Sequence, residues 1–295
     1  MSPVRLALAV AVAVVAAATA CSGPATSVRS PVAAAPATYY LALGDSLSQG
    51  VQPDAAGTSV TTGQGYADQL YAMLRRSQPS LQLVKLGCPR ETTATMIHGG
   101  ICRYRGGSQL AAAVAFLDAH RGHVHLVTID IGANDPEDCG LSSLHAITTC
   151  VRTDLPAAAG NLTTILTRLR AAAGPGVRIV GMSYYLPALA VWRYGLLGQA
   201  VARASERLAV VYDGVLNGVY ASSGVRVADV FGAFETSDFG HPAAVPGIGT
   251  VPRNVALICQ WTWACTSPPR GPNQHANQAG YGVIARAFLS AAGLG

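Results

Sequence analysis

Short apolar runs alternate along the chain with stretches whose apolar residues recur every three or four positions. Tyr39–Leu43, Leu81–Leu86, Val124–Ile131, Val177–Met182 and Val225–Val230 read as strands, too short and too uniformly apolar for helices. Tyr66–Arg76, Gly107–His120, Leu155–Ala173, Leu196–Tyr220 and Ala279–Ala292 carry helical spacing, as in Leu70, Met73 and Leu74 or Leu110, Val114 and Leu117. Gly174-Pro175-Gly176 closes the third of these helices. Parallel strands need crossover connections, and helical crossovers cover both faces of the sheet. The pattern therefore predicts a three-layer α/β/α sandwich with a mainly parallel, flavodoxin-like sheet. Such sheets bind ligands beyond the carboxyl ends of their strands, so the loops leaving each strand are where chemistry is expected.

The N-terminus departs from this pattern. Arg5 precedes an unbroken apolar stretch, Leu6–Ala18, which ends at Ala18-Thr19-Ala20 before Cys21. The stretch is shorter than the ~20 residues a membrane span needs, and its small residues suit a signal peptidase. Residues 1–20 are read as a signal peptide, 21–38 as a flexible tether rich in Ser, Pro, Ala and Thr, and 39–295 as one domain. Ala18-Thr19-Ala20-Cys21 resembles a bacterial lipobox, which makes Cys21 a candidate lipidation site and gives the chain a possible membrane attachment. The expected location is extracellular or on the outer face of the cell membrane.

Composition agrees with a chain that buries a large core, since 50% of residues are hydrophobic and 12% charged. A net charge of +5 comes from scattered arginines without a basic run, so nucleic acid is not expected as a partner, and the chain is read as a monomer. Beyond Cys21 six cysteines fall as close neighbours: Cys88 with Cys102, Cys139 with Cys150, and Cys259 with Cys265. In an oxidising compartment three local disulfides are the expectation, although six cysteines permit fifteen pairings. No CxxC or HxxxH spacing suggests a metal site, and no cofactor is expected.

Four strand exits or helix entries carry residues suited to acyl transfer. The first strand leaves through Gly44-Asp45-Ser46-Leu47, where a serine at a strand-to-helix turn exposes its hydroxyl and aims its amide at a developing oxyanion. The alternative for Ser46 alone is a helix N-cap. The second strand ends at Gly87, whose bare backbone N–H could donate to a ligand, and the third leaves through Gly132-Ala133-Asn134-Asp135, with a side-chain amide donor at Asn134. His275 precedes the last helix. Asp45 and Asp135 are read as loop-amide acceptors rather than acid–base groups.

These blocks resemble the SGNH hydrolases, also called the GDSL family, and the likeness extends over most of residues 39–291. Leu86-Gly87-Cys88-Pro89 and Glu91–Ile97 further resemble a secreted actinobacterial branch of lipases and esterases. The resemblance implies Ser46 as nucleophile, His275 as base, and the Ser46 and Gly87 amides with the Asn134 side chain as oxyanion hole. One departure stands out. The family usually places an Asp two or three positions before the His, where this chain has Asn273 and Pro272. An acid there holds the imidazole tautomer, so its place falls either to a backbone carbonyl of the Cys259–Cys265 loop or to the Asn273 side chain.

The expected activity is hydrolysis of a small-molecule or lipid ester through a Ser46 acyl-enzyme. A carbohydrate acetylesterase, and a surface lipoprotein that binds glycan or lipid without turnover, are the alternatives. The apolar segment Tyr184–Leu197 leaves the fourth strand at the ligand edge, and Leu189 and Trp192 are its candidate acyl-pocket residues; packing under the following helix is the competing role.

Overall fold

The computed structural model describes residues 37–135 and 150–295. The signal peptide, nearly all of the tether, Cys21 and the Cys139 half of the proposed Cys139–Cys150 pair lie outside the described residues. Five parallel strands form the central sheet in the order β4 (Leu81–Lys85), β1 (Thr38–Gly44), β5 (Val124–Asp130), β6 (Arg178–Met182) and β7 (Arg226–Ala228). Leu41 registers with Val84 on one side and Val127 on the other. The chain goes from β1 outward to β4 and then back across β1 to β5. Strand order therefore reverses at the β1/β5 boundary, where an open α/β sheet leaves a crevice at its carboxyl edge.

Both faces of the sheet are covered, which is why its strands are apolar throughout. Successive residues of β1 point to opposite sides: Tyr40 and Ala42 enter one core, Leu41 and Leu43 the other. The first core lies under α1 (Tyr66–Leu74) and the C-terminal helix (Gln278–Ala291), with Tyr66 stacked on Phe288 at 4.7 Å between ring centroids. The second lies under α3 (Gln109–Ala119) and α4 (Leu155–Ala173), through Leu110, Leu117, Leu162, Ile165 and Leu169. A three-layer α/β/α sandwich results. Among the described residues those buried in the two cores run from Tyr40 to Ala292.

Local chemistry moves several boundaries from where the periodicity puts them. The α3 helix starts at Gln109, because the Ser108 hydroxyl accepts the Ala111 N–H. The last strand stops at Ala228 instead of Val230, because the Asp229 carboxylate accepts the Gly232 N–H and opens a short helix, Val230–Ala233. The last helix begins at Gln278 behind an Asn277 cap. Periodicity misses α2 (Thr93–His98), the helix Arg253–Trp261, and two small hairpins, β2 (Gln52–Pro53) with β3 (Ser59–Val60) and β8 (Pro242–Val245) with β9 (Gly249–Pro252). The hairpin strands and α2 are too short to show a period, whereas Arg253–Trp261 is as long as α1 and is simply not read.

Among the described residues no helix is long and apolar enough to cross a membrane. Two of the expected disulfides are present, Cys88–Cys102 and Cys259–Cys265, closing separations of 14 and 6 residues. Replacing Cys88 and Cys102 together by Ser should cost about 3 kcal/mol by the loop-entropy relation, read as a lower urea midpoint at constant m-value. The corresponding change at Cys259 and Cys265, with its shorter loop, should cost less.

Candidate active site

The turn after β1 is held almost entirely by side chains from other strands and helices. Gln109 grips Gly44 at both ends: its Oε1 accepts the Gly44 N–H at 2.7 Å and its Nε2 donates to the Gly44 carbonyl at 2.9 Å. One step on, Asp130 at the end of β5 takes the Asp45 N–H through its carbonyl (3.0 Å) and through Oδ2 (3.2 Å), and the same Oδ2 takes the Ser48 N–H at 3.2 Å. Asp45 Oδ1 accepts the Leu47 N–H at 2.9 Å. Gly44 sits at φ +126°, and a Cβ there would meet the Asp130 carbonyl oxygen at 2.0 Å, so only glycine brings the two strands this close. Amides 44, 45, 47 and 48 are thus occupied, and the Ser46 N–H has no protein acceptor among the described residues.

The neighbouring exits converge on this turn. The Cys88 N–H donates to the Gly44 carbonyl at 3.0 Å, which lays the loop after β4 against it. A Cβ on Gly87 would fall 1.8 Å from the Ser48 hydroxyl, and among the described residues the Gly87 N–H, like that of Ser46, has no protein acceptor. The Asn134 amide donates one hydrogen to the Glu91 carbonyl at 2.9 Å, joining the β5 exit to the same loop and leaving its second hydrogen for a ligand. Asp135 accepts the Thr93 N–H and hydroxyl, and Asp45 serves loop amides, as read from the sequence.

His275 reaches Ser46 from the segment before the last helix. Its Nε2 lies 3.0 Å from Ser46 Oγ. Its Nδ1 lies 2.8 Å from Asn273 Oδ1, which also accepts the His275 N–H at 3.0 Å. The Asn273 Nδ2 donates to Ser59 Oγ at 3.1 Å, so the amide is oriented with its oxygen toward the ring. Of the two candidate partners left open by the sequence, the side chain occupies the position. The Trp263 carbonyl of the disulfide-closed loop accepts the Asn273 N–H instead. Because Oδ1 only accepts, Nδ1 carries the proton and Nε2 presents a lone pair to the serine hydroxyl. Burial without a neighbouring anion lowers the His275 pKa to about 4 and keeps the ring neutral.

The family model for the GDSL-like lipase/acylhydrolase family matches residues 42–283. The chain belongs to this family. No curated protein matches the sequence. Similar solved structures include an acetylxylan esterase from Geobacillus stearothermophilus (16% identity, 87% of this chain and 94% of that one, TM-score 0.52). A putative GDSL-like lipase from Parabacteroides merdae is similar at 14% identity, 88% and 96% coverage and TM-score 0.55. A phospholipase A1 from Streptomyces albidoflavus is similar at 20% identity, 87% and 100% coverage and TM-score 0.51. At these identities the likeness carries the fold.

Within this GDSL-like chain, Asp130, Gln109 and Tyr66 escape a reading of loop motifs, and Glu91 is marked there only as the first residue of the Glu91–Ile97 block, without a role. All are buried, and Glu91 accepts the Gln109 amide while Tyr66 donates its hydroxyl to Asp130. Apart from that block, the one visible signal is a carboxylate, Asp130, inside the apolar run Val124–Ile131. Burial, followed by the nearby Asp45 charge, pushes the Asp130 carboxyl well up, and burial raises Asp45 to about 6. Leu189 needs correction as an acyl-pocket residue. It is wholly enclosed in the first core and presents no surface to a ligand, because the segment folds back as a 3₁₀ helix, Pro187–Tyr194. Trp192 is half-buried against Phe239.

With neutral imidazole as the reactive form, kcat/KM for an uncharged ester should be flat at neutral pH and fall as pH drops through about 4. Asn273→Asp would set an anion beside Nδ1 and stabilise the imidazolium, so its acid limb should move up by about one to three pH units. Asn273→Ala should lower kcat about 10–100-fold, the equivalent of one lost buried hydrogen bond. Rates across pH 3–9 for the three proteins check both.

Proposed function

We propose that this GDSL-like protein is an exported carboxylic ester hydrolase that works through a Ser46–His275 dyad oriented by Asn273. The observation that carries the reading is the continuous chain Ser46 Oγ, His275 Nε2, His275 Nδ1 and Asn273 Oδ1, with links of 3.0 and 2.8 Å. Nucleophile, base and orienting acceptor stand within hydrogen-bond reach and in the tautomer that base catalysis needs.

His275 Nε2 takes the hydroxyl proton as Ser46 Oγ attacks the ester carbonyl. The tetrahedral oxyanion accepts from the free Ser46 and Gly87 amides and from the remaining Asn134 hydrogen. The imidazolium then returns its proton to the departing alkoxide, and water enters by the same route to release the acid. Asn273 is a neutral acceptor, so it fixes the ring without the charge stabilisation a carboxylate would add. Metal and cofactor have no part in these steps. The proposed substrate is a small-molecule or lipid ester, the protein a monomer, and Cys21 a lipid anchor on the outer face of the membrane.

Ser46→Ala should abolish hydrolysis of nitrophenyl esters with the urea midpoint unchanged, since the hydroxyl packs in no core. Asn134→Ala should reduce turnover about 10²–10³-fold, the usual effect of one oxyanion donor. Folded wild-type protein inert toward every acyl length would refute the enzyme reading in favour of a binding protein. A profile confined to acetyl esters would point to a deacetylase.

A further inference from the structure

The apolar segment leaving β6 is only half absorbed by the fold. Leu189 and Ala190 enter the first core, and Trp192 lies against Phe239 with the Arg203 guanidinium 5.0 Å from its ring centre. The next large residues are left in solvent: Tyr194, Leu196 and Leu197 are 64%, 85% and 78% exposed. They stand where the 3₁₀ helix turns into α5 (Gly195–Ser222). The Tyr212 hydroxyl donates to the Gly132 carbonyl at 2.7 Å and Asp213 accepts the Tyr184 N–H at 3.3 Å, so α5 passes the exits of β5 and β6 at these residues. From there back to Gly195 the helix runs about 25 Å along its axis, away from the sheet's carboxyl edge, the edge that also carries Ser46. The hairpin is tied to the segment before the last helix at both ends: at its foot Tyr185 donates to the Gln274 carbonyl (3.0 Å), and beside Tyr194 at its tip Arg193 donates to the Cys265 carbonyl (2.9 Å).

The tip has the chemistry of a lipid interface. Two adjacent leucines supply apolar insertion, Trp192 and Tyr194 are the side chains that settle at headgroup depth, and from Leu186 to Ser205 the only charged residues are Arg193 and Arg203. An all-cationic apolar tip complements anionic headgroups. In a two-fold contact between copies of the chain, the same arginines would face each other across the axis, which disfavours self-association there. We propose that Tyr194, Leu196 and Leu197 dock the protein on an anionic lipid surface, with the Ser46 edge turned toward it. This holds whether or not Ser46 is the nucleophile, so its failure is separate from that of the ester-hydrolase reading.

Residues Pro36–Gly295 form a compact unit by themselves, and this body is the one to test, because it lacks the N-terminal apolar stretch that would bind lipid by itself. It should co-sediment with vesicles of phosphatidylglycerol and phosphatidylcholine, less so with phosphatidylcholine alone. Leu196→Ser with Leu197→Ser should weaken partitioning about tenfold or more. Nitrophenyl acetate turnover should stay unchanged in that variant, and Val60→Ser, at a smaller exposed apolar site, should leave partitioning unaffected. Wild-type protein that stays in the supernatant at every lipid concentration, or a double variant that binds equally, overturns the proposal. So does a dimer in sedimentation equilibrium that the double variant dissolves, which would assign the patch to a second copy.

Discussion

Everything at the carboxyl edge depends on how the nucleophile turn is held. A tight turn leaves backbone N–H groups that its own carbonyls cannot reach, and this one is largely buried, where water cannot replace the missing partners. Asp130 takes the amides of Asp45 and Ser48, Asp45 takes that of Leu47, and Gln109 takes both polar groups of Gly44. Each bond fixes an amide away from the site. Among the described residues the Ser46 N–H, alone of amides 44 to 48, is left without a partner, and an unpaired amide costs least where a ligand oxygen can reach it. Burial pushes both of these carboxyls up, and at Asp130 the nearby Asp45 charge adds to it.

The same economy of charge runs through the dyad. A carboxylate beside His275 would add a further anion near the acidic groups of Asp45 and Asp130. With Asn273 the ring is oriented by a dipole, and its burial is tolerated because it stays neutral. The cost is a weaker hold on the imidazolium that forms during reaction. The Cys259–Cys265 loop supports this arrangement indirectly: the Trp263 carbonyl takes the Asn273 amide, and the Trp263 N–H donates to the His275 carbonyl at 3.0 Å. Placement of the base therefore rests on a cross-linked loop whose own chemistry is inert.

Much of the fold and site was readable in the sequence. Strands and helices of ordinary length show their periods, so the sandwich and the identity of the loops at its edge follow from hydrophobic pattern alone. Ser46, Gly87, Asn134 and His275 stood out because each sits where a strand or helix boundary was already marked. Short elements such as β2, β8 and Thr93–His98 were not readable, since two to six residues hold too little pattern to separate from a loop. The apolar segment after β6 was recognised as unusual, yet its composition could not say which of its residues would be enclosed: Leu189 is in the core and Leu196, seven positions on, is almost free.

The sequence by itself determined the class of fold and the residues able to act as nucleophile, base and donors, because these depend on residue type and near spacing; the pairs Cys88 with Cys102 and Cys259 with Cys265 were its expectation among fifteen pairings, and the structure holds both. Only the tertiary structure decided which acceptor faces His275 and which carboxylate closes the nucleophile turn. Asn273 and a backbone carbonyl of the Cys259–Cys265 loop were both candidates in the sequence, and Asp130 lies 85 positions from Asp45. Such choices turn on distances of a few tenths of an ångström between segments far apart in the chain, and those distances are set by how the cores pack.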